Sequence, residues 1–160
     1  MNNRKQPQLF LDCDGVLADF DVLANQIYGK PPHQAEDEIG SSRFWHQLRS
    51  HPDFYGTLPL MPDALQLFEA VRHLKPVILT GCPQGDWAQP QKLRWAAKHF
   101  PGTPIITCRS AEKRVHMRPG DVLVDDFLRY KHLWEEAGGV FIHHTSAAST
   151  IARLRELRLL

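Results

Sequence analysis

Five short apolar runs alternate with longer stretches of helical periodicity, and this alternation limits the fold more than any other feature of the chain. The runs fall at residues 8–12, 76–80, 104–107, 121–125 and 140–142 and are rich in Leu, Ile and Val. Between them, Ala64, Leu65, Leu67, Phe68 and Val71 recur at the spacing of one helix face. The same spacing links Leu93, Trp95, Ala96, Ala97 and Phe100, then Leu128, Leu133, Trp134 and Ala137, and finally Ile151, Leu154, Leu157 and Leu160. Pro62–Asp63 marks a helix start, while Pro101–Gly102 and Gly138–Gly139 mark helix ends. Strands joined through helices must run parallel, with right-handed crossovers that lay helices on both faces of the sheet.

The expected fold is therefore α/β: a Rossmann-like, three-layer parallel sheet in a single domain spanning 1–160. At 160 residues, the chain can bury a core of its own without disulfides or a structural metal. Residues 21–60 break the rhythm. They hold Pro31–Pro32, an acidic patch around Glu36 and Glu38, and the aromatics Phe44, Trp45, Phe54 and Tyr55. This stretch reads as a small helical cap inserted after the first strand, above the sheet edge. The alternative is an ordinary loop packing its aromatics onto the core.

Composition removes several function classes. A formal net charge of +1 gives no global field for a nucleic-acid polymer or an anionic lipid surface. Cys13, Cys82 and Cys108 form no C-x-x-C pair, so neither a zinc knuckle nor a dithiol redox site is indicated. The polar start, with Arg4 and Lys5, precedes only three apolar residues before Asp12, too few for a signal peptide core. Nothing approaches the roughly 18 apolar residues of a membrane span. The expectation is a cytoplasmic protein with free thiols and no membrane partner.

The strand ends carry the chemistry, because ligands of open parallel sheets collect at the carboxyl ends of the strands. The first strand ends at Asp12, followed by Cys13, Asp14 and Gly15; the glycine permits a turn that others would strain to make. The second ends Thr80-Gly81, a hydroxyl and an open backbone suited to a phosphate. The fourth ends Asp125-Asp126. If these strands are neighbours, the carboxylates meet in one crevice and require a cation among them. Oxygen ligands without a His/Cys cluster favour magnesium. A lysine should balance the remaining charge. Lys92 lies twelve residues after Thr80, and Lys113 lies twelve before Asp125.

The D-x-D-G-x-x-x-D stretch from Asp12 to Asp19, the Thr80 strand end and the Asp125–Asp126 pair together resemble the haloacid dehalogenase-like phosphatase superfamily. That resemblance implies Asp12 as nucleophile, Asp14 as general acid and base, and Thr80 with Gly81 holding phosphate. It implies Mg2+ bound by Asp12, Asp14 through its backbone carbonyl and Asp125, with Asp126 acting through one or more waters. The Lys92-to-Phe100 segment is similar to the K-x-x-W-x-x-K-x-F segment of the 5'(3')-deoxyribonucleotidase branch, which favours Lys92 over Lys113 as the active-site lysine. In that branch cap aromatics stack on the base, which casts Phe44 and Trp45 as substrate-binding residues beside Thr80, Gly81 and Lys92. Asp63 and Thr80-Gly81-Cys82-Pro83 depart from the branch's pattern. The implied activity is a phosphomonoesterase working through an aspartyl-phosphate, a 5'-nucleotidase on nucleoside monophosphates. The alternatives are another small phosphorylated metabolite as substrate, or a non-catalytic phosphate- or partner-binding domain. A homodimer that covers the site is compatible with a short cap.

Overall fold

The computed structural model describes residues 6–160; Arg4 and Lys5 lie outside them. Five strands form one parallel sheet: β1 (Leu9–Leu11), β2 (Val77–Gly81), β3 (Ile105–Cys108), β4 (Val122–Asp125) and β5 (Val140–His143). Their order is β3-β2-β1-β4-β5, so the chain moves outward from β1 on one side, then returns to build the other. The strand positions match the apolar runs to within a residue or two at each end. β1 stops at Leu11 because the backbone turns beyond it, although the Asp12 N–H still donates to the Val124 carbonyl at 2.9 Å.

Alternation along each strand divides the core. Leu9, Leu11, Ile78, Val122 and Val124 face the larger cluster, built with α4 (Ala64–Val71), α5 (Ala88–His99) and α7 (Ala147–Glu156). Phe10, Leu79 and Leu123 face the other side, where Trp134 of α6 (Lys131–Glu136) covers them. The Trp134 ring meets Phe10 edge-on at 5.7 Å, and its indole N–H donates to the carbonyls of Asp121 and Val140. This second face is thinner because the β3–β4 crossover is only a 3₁₀ segment, Ser110–His116, without an apolar stripe.

Three helices separate β1 from α4: α1 (Phe20–Tyr28), α2 (Pro32–Ile39) and α3 (Ser41–Ser50), followed by a 3₁₀ turn at Tyr55–Thr57. Asp19 caps α1 by accepting the Val22 N–H, and Gly29 ends it in the left-handed conformation at φ +70°. Tyr28 stacks on Phe44 at 4.8 Å, and Phe20, Phe54 and Tyr55 pack around one another. The insert docks on α5: the Trp95 indole donates to the Leu58 carbonyl at 2.8 Å, and the Tyr55 N–H donates to the Gln91 side chain at 2.9 Å. Its two connections run side by side. The Asp19 N–H donates to the Pro59 carbonyl and the Met61 N–H to the Leu17 carbonyl, each at 2.8 Å. Asp63 precedes α4, but its carboxylate accepts the Ala147 N–H and so serves the start of α7.

Candidate active site

The sheet order reverses between β1 and β4, where the flanking loops part and leave a crevice. Asp12 and Asp125 project there from adjacent strand ends, only 7% and 6% exposed. Asp126 lies nearer solvent, above Gly15. Gly15 has φ +83°, and a Cβ there would stand 2.0 Å from the Asp126 carboxylate, so both conformation and space demand glycine. Carboxylate oxygens of Asp12, Asp125 and Asp126 lie within 4.8 Å of one another.

Lys113 enters from the 3₁₀ segment after β3 and donates to Asp12 Oδ1 and Asp125 Oδ2, both at 2.9 Å. Burial alone would lower the lysine's affinity for its proton, but the two carboxylates more than offset it. Burial and the charge of Asp12 push the Asp125 carboxyl well above its ordinary range, with Lys113 opposing; Asp126 moves the same way. Three carboxylates thus crowd together, and the one ammonium among them reaches only Asp12 and Asp125. An all-oxygen set with excess negative charge suits a hard divalent cation such as magnesium. The residues fit such an ion, and Asp12, Asp125 and Asp126 are the side chains that would hold it.

Asp14 belongs to a second network. Its Oδ2 accepts from Lys92 Nζ at 2.7 Å, and Lys92 also donates to the Thr80 hydroxyl at 2.8 Å and the Gly81 carbonyl at 2.9 Å. All three ammonium donors are used. The Tyr55 ring covers the same ammonium at 4.4 Å, a cation–π contact in a desolvated setting. Lys92 is 2% exposed, and Thr80 is fully buried. The other oxygen, Asp14 Oδ1, is buried and has no hydrogen-bond partner among the described residues. Burial, joined by the charge of Asp12, raises the Asp14 carboxyl above its usual range against the pull of Lys92.

The strand ends and the insert together enclose a cavity of about 490 Å³. Asp12, Asp14, Gly81 and Lys113 line its floor; Phe20, His33, Glu36 and Trp45 line the side toward the insert. Of the residues expected to touch substrate, Gly81 and the half-buried Trp45 border this space. Phe44 also borders it but is 1% exposed, its ring packed against Tyr28 and Trp45. Thr80 and Lys92 stand behind the wall, backing Asp14. The sequence posed Lys92 and Lys113 as rivals; the fold brings both to the site, with Lys113 on Asp12. Ser110 and Tyr55 also line the cavity, and neither had a motif to announce it. A Cβ on Gly81 would fall 2.0 Å from the Ser110 hydroxyl, so this oxygen lies directly against the Gly81 backbone. Cys13 is buried in the larger core cluster, and burial pushes its thiol well up, leaving it unreactive.

Among solved structures, a hydrolase from Streptococcus pneumoniae TIGR4 superposes over 98% of this chain and 100% of its own, with a TM-score of 0.52 and 13% identity. The two share a fold. A dehalogenase aligns over 86% of this chain and 84% of its own at a TM-score of 0.47 and 13% identity. No family model and no curated protein matches the sequence. Among the described residues, no helix is long and apolar enough to cross a membrane.

Proposed function

We propose that this chain is a haloacid dehalogenase-like phosphohydrolase: a magnesium-dependent phosphomonoesterase with Asp12 as nucleophile. One observation carries this reading. Asp12 lies in a cavity within a cluster of three carboxylates able to hold a cation, with a separately held carboxyl, Asp14, on the other side. Bound magnesium would supply charge neutralisation for the phosphoryl oxygens. Asp12 attacks phosphorus and forms an aspartyl-phosphate while the ester P–O bond breaks. Asp14 gives its proton to the departing oxygen, then accepts one from the water that hydrolyses the acyl-phosphate. Lys92 fixes the orientation of this carboxyl through Oδ2, and the Asp14 side chain is 25% exposed. Gly81 and Ser110 offer hydrogen-bonding groups to the phosphate, while Thr80 acts through Lys92.

The substrate we favour is a nucleoside monophosphate, with Trp45 against the base. The deciding experiment measures phosphate release from nucleoside monophosphates and sugar phosphates, with magnesium and with excess chelator. Magnesium-dependent release selective for nucleotides is expected. Release from sugar phosphates alone would keep the chemistry and move the substrate, whereas no release from any ester would remove Asp12 as a nucleophile.

A further inference from the structure

The catalytic cavity opens into an outer hollow of about 690 Å³, and Trp45, Phe127 and Tyr130 border both. The two spaces differ in charge. The inner one is dominated by carboxylates. The outer one is bordered by Arg109, following β3, and Arg129, on the loop after β4, with Glu36 as its one carboxylate. β3 and β4 lie on opposite sides of β1, so the two arginines approach from either side of the catalytic strand end. Neither has an ion-pair partner among the described residues; the Arg129 guanidinium lies 5.4 Å from the Tyr130 ring. Ser41, Ser42 and Gln84 add neutral donors to the same hollow.

Because Trp45, Phe127 and Tyr130 line both spaces, a molecule whose phosphate meets Asp12 can extend between these aromatics toward the outer hollow. Two guanidiniums there suit an anion, which they bind through charge-assisted, often paired hydrogen bonds. Resting on the phosphatase chemistry proposed above, we infer that the substrate carries a second anionic group beyond a ring-sized spacer, held between Arg109 and Arg129. That group is a second phosphate or a carboxylate.

Calorimetry on the Asp12→Asn chain with magnesium tests this without turnover. The probes are uridine 5'-monophosphate, uridine 3',5'-bisphosphate and orotidine 5'-monophosphate. The second adds a phosphate to the ribose, and the third adds a carboxylate to the base. One of the two dianchored ligands should bind about tenfold more tightly than the monophosphate, and which one identifies the group. Arg109→Ala with Arg129→Ala should collapse that ratio to near one, and added salt should shrink it. Both residues are exposed, so the fold should survive their loss. Equal affinities, no measurable binding, or a preference that outlasts both replacements would overturn the inference. Phosphate release by the unaltered chain separates the two ideas. Selective binding without release sinks the phosphatase chemistry alone, and magnesium-dependent release without preference sinks the second-anion site alone.

Discussion

Lys113 and Lys92 are both buried ammonium groups at one sheet edge, yet they sit in opposite kinds of surroundings. Lys113 lines the cavity and is shared between Asp12 and Asp125, which have more negative charge than it can balance. Lys92 lies behind the wall, and its carboxylate, hydroxyl, carbonyl and aromatic face leave no donor unused. The first arrangement is open to an added cation and an incoming phosphate. The second is closed and fixes the position of Asp14. A site that must accept charge at one carboxylate and move a proton at another gains from keeping the two apart.

The largest effect expected from breaking this division is on turnover. Asp12→Asn should lower kcat by on the order of 10⁴-fold or more, with the unfolding midpoint little changed. Asp14→Asn should cost about 10²–10⁴-fold on alkyl phosphates, the usual worth of a general acid. With p-nitrophenyl phosphate, whose leaving group needs no proton, the first step should survive and phospho-Asp12 should accumulate, visible as an added phosphate mass. An Asp12→Asn chain with full activity would end the nucleophile assignment.

Next in size is stability. Removing one partner of a buried pair costs about 3–5 kcal/mol, so Lys113→Met and Lys92→Met should both lower the denaturation midpoint. Magnesium should restore much of the loss for Lys113→Met, because the ion can balance Asp12 and Asp125. It should restore little for Lys92→Met. Equal rescue of both would erase the distinction between open and closed networks.

Acidity sharpens it further. Burial and the charge of Asp12 push the Asp125 carboxyl up to about 7, from an ordinary value of 3.8. The folded chain therefore binds more protons than the unfolded chain between those values, and this group's contribution to stability falls as pH rises through that window. A metal that needs the carboxylate deprotonated should recover that loss. The magnesium-induced rise in melting temperature should be larger above about pH 7.5 than at about pH 5. A rise independent of pH would exclude the Asp125–Asp126 pair as the ligands that magnesium deprotonates. The smallest expected effect is on binding: Trp45→Ala should raise KM for nucleotides roughly 5- to 150-fold if the indole stacks on a base, the equivalent of about 1–3 kcal/mol. An unchanged KM would assign Trp45 to packing.

The sheet was legible because period-two and period-3.6 patterns are local, and so were the acidic strand ends, since a strand terminus fixes where its next side chain goes. The β4 pair Asp125–Asp126 needed only its neighbour β1 to complete the cluster. What could not be read was contact between distant segments. Nothing local to Lys113 says that it spans 101 residues to reach Asp12, and nothing local to Tyr55 says that it faces Lys92. Spacing alone made the lysines rivals, whereas three dimensions gave each its own carboxylate. The burial of Thr80 behind Gly81 was likewise hidden, because alternation sets a side chain's face but not what covers it.

The paired crossings at Asp19–Pro59 and Leu17–Met61 bring the start and finish of the insert together at the rim of the sheet. A segment whose ends already meet can be lengthened or shortened at its outer turns at little loop-closure cost, about 0.6 kcal/mol for each doubling, whereas Phe44, Phe54 and Tyr55 tie its inner face to the core. Asp12, Asp14, Asp125 and Asp126 all lie outside it. Evolution, or an engineer, could therefore vary the outer turns of the segment, keeping Tyr55 over Lys92, while the four carboxylates stay where they are.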